Sequence, residues 1–228
     1  MKKYYKFDLD IVVANIVAIV ILVLSFLLYL LLRKEGNLFF PGIGIVIMLL
    51  YFILHEIFHG IGYSLFAKNK KNIKYGAILE KSVFYAMCQE PINKKAIIVS
   101  LLFPLIFLTI ITGIIGIIFK IDGLIILSIL NLSGASGDIL MLFLIFKLPD
   151  DIKYIDYDNN IGCYFVSKHD LSKYKSFGVK FIESKEHKDS LINKKIPRIY
   201  ISKSSKPVLV FLVILSIILI IFDFLPLK

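Results

Sequence analysis

Residues Ile11–Leu32 run for 22 positions without a charged side chain. Roughly 18–20 such residues carry a helix across the hydrocarbon core of a bilayer, where every backbone amide must find its partner inside the segment. Ala96–Phe119 repeats the feature over 24 positions. Leu124–Phe146 does so with one interruption, Asp138, and the stretch 41–67 is apolar apart from a His-Glu-His cluster. A last run, Val208–Leu227, carries Asp223 close to its end. Hydrophobic residues make up 58% of the chain, above the roughly 45–50% of a soluble domain, so these runs are not chance clusters. The sequence therefore predicts an all-α polytopic membrane protein with about five transmembrane helices, near 11–32, 41–67, 96–119, 124–146 and 207–228. The first run is too long for a signal-peptide core and is expected to stay as an anchor.

The lysines divide the connecting segments into two classes. The N-terminal tail has Lys2, Lys3 and Lys6, and the 67–95 loop has Lys68, Lys70, Lys71, Lys74, Lys81, Lys94 and Lys95. The 148–206 segment is richer still, whereas the intervening loops hold little beyond Arg33, Lys34 and Lys120. Positive charge collects on the cytoplasmic side of membrane proteins. The expected topology is thus a multi-pass protein of the cell membrane with its N-terminus in the cytoplasm and its C-terminus outside. The formal charge of +10 follows from those loops and calls for no nucleic acid partner. Residues 1–147 read as a membrane domain and 148–206 as a small cytoplasmic α/β appendage before the fifth span. In the appendage, "IKYIDY" and "CYFVSK" read as a strand pair, and "HDLSKYKSF" as a short helix capped by its aspartate. Val83–Cys88, closed by Pro91, reads as a strand in a small β-hairpin-like loop. Cys88 and Cys163 form no CxxC pair, which points away from a thiolate metal site.

The string "HEIFH" then stands out, because it sets His55, Glu56 and His59 inside a run that must otherwise be buried in lipid. Ionisable residues at that depth are costly and mark function by default. His55 and His59 are one helical turn apart and face the same way, so both imidazoles can hold one ion. Glu56 sits beside them as a general base would. A catalytic zinc takes three protein ligands and leaves one position for water. Asp138 is the candidate for the third: it precedes Lys147 by nine residues, as His59 precedes Lys68 by nine. Both lie roughly 13 Å inside the cytoplasmic boundary at the helical rise per residue. Gly134, Ala135, Ser136 and Gly137 offer close helix packing at this point. Asn131, on roughly the same face, either contacts a substrate carbonyl or oxyanion or bonds a neighbouring helix.

These residues, with the Pro-containing "SLLFPLIF" and "NLSGASGD" in following spans, carry a resemblance. The chain looks like the site-2-protease-type intramembrane zinc metallopeptidases, and more closely like a bacterial membrane family described as putative zincin peptidases, over about residues 40–165. The likeness implies a site-2-protease-like core, Zn2+ held by His55, His59 and Asp138, and Glu56 as catalytic base. It departs from the site-2 pattern in lacking the two prolines before the aspartate and in placing glycine ahead of that aspartate. The implied function is hydrolysis of peptide bonds in membrane-embedded or membrane-associated substrates by a zinc-activated water, with a membrane protein or peptide and the lipid bilayer as partners. The competing classes are a divalent-metal or proton transporter lined by the same residues, and a non-catalytic membrane adaptor of the same fold.

Overall fold

In the computed structural model, which describes residues 3–32, 43–78, 83–156 and 163–184, the chain begins with a strand where the sequence suggested a lysine tail. In β1 (Lys3–Leu9) Tyr5 turns inward and is fully buried while its neighbour Lys6 is exposed, the two-residue period of a half-buried strand. Asp10 ends the strand and starts α1 (Ile11–Leu32). Its Oδ1 accepts the amides of Val12 and Val13 at 2.9 and 3.2 Å, satisfying donors that a helix start leaves open.

From there the chain runs through α2 (Ile43–Ser64), the strands β2 (Ile73–Ile78) and β3 (Val83–Cys88), and the two-residue β4 (Ile92–Asn93). Asn93 caps α3 (Lys94–Pro104) by accepting the Ala96 amide at 2.9 Å. The helix continues through a π-helical stretch, Leu105–Ile111, into α4 (Thr112–Phe119). Next come α5 (Asp122–Gly134) and α6 (Ser136–Phe146), then β5 (Lys153–Asp156), β6 (Cys163–Ser167), β7 (Lys175–Ser176) and β8 (Val179–Ser184).

The strands form two sheets. One is a six-stranded antiparallel sheet in the order β4-β5-β6-β1-β8-β7, and the other is the β2-β3 hairpin. The large sheet draws strands from the N-terminal segment, from the end of the 67–95 loop and from the region after α6. Tyr5, Phe165 and Phe181 lie on its inner face, where they join Ile97, Leu144, Ile145 and Leu148 in one buried cluster.

The fold is therefore mixed α/β, and the all-α polytopic expectation is wrong. Counting apolar runs identified helices, and the β5-β6 pair was legible, but the long-range pairing of β1 and β4 was not, since each looks like a polar loop when read alone. The span count changes too. Two described helical stretches, Ile11–Leu32 and Lys94–Phe119, are long and apolar enough to cross a membrane. A third arises if α5 and α6 count as one, but they are bent by 53° at Ala135 where the sequence suggested a continuous helix. The expected fifth span, Val208–Leu227, lies outside the described residues. The expected helix in "HDLSKYKSF" is absent: Asp170 Oδ1 instead accepts the amide and hydroxyl of Ser172 at 3.0 and 2.7 Å. That turn leads into β7. The predicted strands at Val83–Cys88 and in the β5-β6 pair are present.

Only Ala14 and Tyr29 of α1 are buried, and residues such as Leu31, 82% exposed, stand clear of the protein. The described residues leave this long apolar helix largely uncovered, which points to membrane association.

The sheet register makes a direct test. Lys6 pairs with Tyr164 across β1 and β6, so their Cα atoms lie within about 4.5–5.5 Å, a separation a disulfide spans. With Cys88 and Cys163 replaced by alanine, Lys6→Cys and Tyr164→Cys together should cross-link on oxidation, read as a mobility shift. Lys6→Cys with Phe165→Cys, which points to the opposite face, should not. Equal cross-linking of both pairs would refute the register.

Candidate metal centre

The centre is built on α2 and the break between α5 and α6. His55 and His59 project from consecutive turns of α2. The chain bends at Ala135, and Asp138 falls in the first turn of α6, where unpaired amides favour a carboxylate. His55 Nε2 lies 3.0 Å from His59 Nε2. Asp138 Oδ2 lies 3.1 Å from the first and 3.2 Å from the second. These three atoms form a nearly equilateral triangle, and the residues that bear them are the group able to hold a metal ion among the described residues.

The outer nitrogens decide what the triangle can be. His59 Nδ1 is 3.0 Å from the Ser100 carbonyl. A carbonyl only accepts, so Nδ1 carries a proton, and in the neutral imidazole Nε2 presents a lone pair. The same logic reaches His55 through Asn131. The Asn131 amide nitrogen donates to the Pro104 carbonyl at 3.3 Å and to Thr109 Oγ1 at 2.9 Å. Its Oδ1 therefore faces His55 Nδ1, 2.9 Å away, and that nitrogen is again the donor. With both imidazoles neutral, two lone pairs and a carboxylate oxygen converge on one point. Three such acceptors at these distances call for a cation, a metal ion or a proton, between them. Tetrahedral zinc with N and O ligands separates its ligand atoms by roughly 3.3–3.5 Å, close to the triangle found. The donor set fits zinc, with His55, His59 and Asp138 as its holders.

Glu56 does not join the triangle. Its Oε2 accepts the Ala86 amide of β3 at 2.8 Å. Two residues further along the same strand, the Cys88 amide donates to Asp156 Oδ2 at 3.1 Å. The β3 edge turned away from β2 is thus held by two carboxylates. Asp156 also accepts the Tyr154 hydroxyl, which lies 3.3 Å from the Tyr63 hydroxyl of α2. Burial pushes the Asp156 carboxyl up to about 6, the desolvation of a carboxylate outweighing its donors.

Close packing at glycines makes this arrangement possible, though not at the glycines the sequence drew attention to. A Cβ at Gly134 or Gly137 would meet its nearest neighbour at 3.5 or 3.6 Å, an ordinary contact. At Gly62 it would lie 2.5 Å from Ser100 Cα. That approach of α3 to α2 is what lets the Ser100 carbonyl reach His59. Gly60 likewise leaves room for the Tyr75 ring of β2.

Residues 47–153 match the model of a family described as "Putative zincin peptidase". The matched segment contains all four residues of the HExxH-and-aspartate constellation, both hairpin strands and the broken helix pair. No curated protein and no solved structure matches the chain.

Of the residues singled out in the sequence, His55, His59 and Asp138 are brought together, Glu56 stands beside them, and Asn131 lies behind His55. The other two histidines of the chain take no described part in the centre: His169 is exposed and lies 3.7 Å from Asp151, and His187 lies outside the described residues. Sequence reasoning passed over Ser100, Thr109 and Asp156. Ser100 had a signal: it precedes Pro104 by four residues, and a proline leaves the carbonyl four positions back without its helical donor.

Gly62→Ala is expected to push α3 away, lengthen the contact between His59 and Ser100, and lower zinc affinity by roughly 10–100-fold, as loss of an outer hydrogen-bond partner does. Overpacking should cost about 1–3 kcal/mol of stability as well. Chelator competition and thermal unfolding on the same samples measure both, and unchanged zinc affinity would refute the link.

Proposed function

We propose that the protein is an intramembrane zinc metallopeptidase that cleaves membrane-embedded or membrane-associated peptides. The observation that carries the reading is the triangle of candidate ligand atoms from His55, His59 and Asp138, with Glu56 next to His55 on the same helix, in the segment that matches the zincin model. Zinc, when bound, supplies a Lewis acid that lowers the pKa of a water toward about 7 and polarises a carbonyl.

The chain's own residues do the rest. Glu56 takes a proton from the attacking water as its hydroxide adds to the carbonyl carbon. As the C–N bond breaks, the glutamic acid returns that proton to the leaving nitrogen, so the carboxylate is regenerated. His55 and His59 are turned to offer Nε2 because their Nδ1 protons are held by Asn131 and Ser100. Asp138 contributes one negative charge, leaving the loaded centre with a net positive charge that favours a developing oxyanion.

The topology belongs to the same proposal. The N-terminus, the 67–95 loop and the segment after α6 lie in the cytoplasm, as the lysine asymmetry requires. Supporting this, β1, β4 and β5–β8 are hydrogen-bonded neighbours in one sheet and so must share one side of a bilayer.

The experiment separates base from ligand. Glu56→Gln keeps size but not basicity; it should retain zinc while cleavage of a membrane-embedded peptide in reconstituted vesicles falls by roughly 10²–10⁴-fold. Asp138→Asn exchanges an anionic ligand for a neutral one and should lose zinc and activity together. Metal flux across the same vesicles, recorded in parallel, should stay at background. Cleavage by Glu56→Gln at the wild-type rate, or flux that follows these substitutions without any cleavage, would overturn the reading.

A further inference from the structure

Three side chains of α2, spaced one turn apart, meet three carbonyls of the neighbouring helix spaced the same way and running in reverse. The Tyr51 hydroxyl donates to the Leu108 carbonyl. His59 Nδ1 donates to the Ser100 carbonyl at 3.0 Å. Between them, His55 connects to the Pro104 carbonyl through Asn131, at 2.9 Å on the histidine side and 3.3 Å on the proline side. Main-chain carbonyls of a regular α-helix are engaged by amides four residues on and offer little to a neighbour. Here the helix is irregular in two ways. Pro104 has no N–H to give Ser100, and the next amide, of Leu105, bonds Leu102. Beyond Pro104 the backbone widens into the π-helical stretch Leu105–Ile111, a form that recurs at functional sites. Ser128 Oγ secures that stretch from α5 by donating to the Thr109 carbonyl at 2.7 Å.

A neutral imidazole exists as two tautomers, and only the one protonated at Nδ1 offers Nε2 to a cation in this geometry. The other would aim a hydrogen into the triangle. We propose that Pro104 presets both metal-binding histidines. Its missing N–H leaves the Ser100 carbonyl to hold the His59 proton, and its own carbonyl orients Asn131, whose Oδ1 holds the His55 proton. Pro104 and Asn131 are positioning residues: both act on the cation site through a histidine. Asn131 works here as an acceptor, with its amide hydrogens directed at Pro104 and Thr109. This inference rests on the metal reading of the site, and its consequence is a centre already arranged before metal arrives.

The test is the tautomer state in metal-free protein. Full-length protein labelled with 15N-histidine is stripped with a chelator in detergent micelles, and two-bond proton–nitrogen correlations are recorded. Signals are assigned by their loss in His55→Gln and His59→Gln. In the wild type both histidines, taken to their neutral form by raising the pH, should be protonated at Nδ1. Pro104→Ala restores the amide but keeps a carbonyl at position 104, so His59 alone should become a mixture of tautomers and zinc affinity should fall by roughly 10–100-fold. Asn131→Ala should shift His55 alone.

Pro104→Ala with the His59 tautomer and zinc affinity unchanged would overturn the proposal. So would Asn131→Ala with the His55 tautomer unchanged. Should Pro104→Ala fail to fold, Asn131→Ala decides the question alone. A wild type that binds no zinc defeats the metal reading, while its tautomers still report whether the presetting exists.

Discussion

Two imidazole nitrogens and a carboxylate oxygen face one another at 3.0–3.2 Å, and each imidazole is fixed there by an Nδ1 proton committed elsewhere. That convergence is the constraint around which the polar interior is arranged. With both imidazoles neutral it calls for a cation at its centre. Buried polar groups of this kind are costly when half-satisfied. Accordingly, each outer imidazole nitrogen has a partner, Ser100 for His59 and Asn131 for His55, and Asn131 is held in turn by the Pro104 carbonyl and the Thr109 hydroxyl.

The sheets belong to the same construction. β3 presents its outward amides to Glu56 and Asp156, and Asp156 in turn ties β5 to Tyr63 on α2 through Tyr154. The helix that carries the candidate metal ligands and the strand that holds the candidate base are thereby fixed relative to each other. A bundle of helices alone would lack this second anchor. Because β1 and β4 join the same sheet as β5, the N-terminal segment and the chain entering α3 are held in one frame with the centre.

The candidate site was legible in the sequence to a greater depth than the fold. The four-residue spacing of His55 and His59 is a local property, and the matched distances of His59 and Asp138 from boundary lysines placed two remote residues at one level. Neither inference needed knowledge of tertiary pairing. The six-stranded sheet did: β5 and β6 read as a strand pair from their own residues, but β1 and β4 pair across long separations. β1 carries Lys3 and Lys6 and looks like a basic tail until its partners are known, and the positive-inside rule reinforces that error by explaining those lysines without a strand. The break at Ala135 was hidden for a different reason. The glycines around it suit tight helix packing as well as a bend, and only the backbone distinguishes the two. Ser100 lay in plain view four residues before Pro104, yet a carbonyl has no side-chain signature.

The most direct test of the central claim is zinc K-edge X-ray absorption on the purified protein at one equivalent of zinc. The account predicts a four-coordinate shell of nitrogen and oxygen at roughly 2.0–2.2 Å, with two imidazoles, one carboxylate and one water. The imidazole outer-shell signal should be diminished in His55→Gln and in His59→Gln. A sulfur shell near 2.3 Å, or a spectrum unchanged by both substitutions, would contradict it.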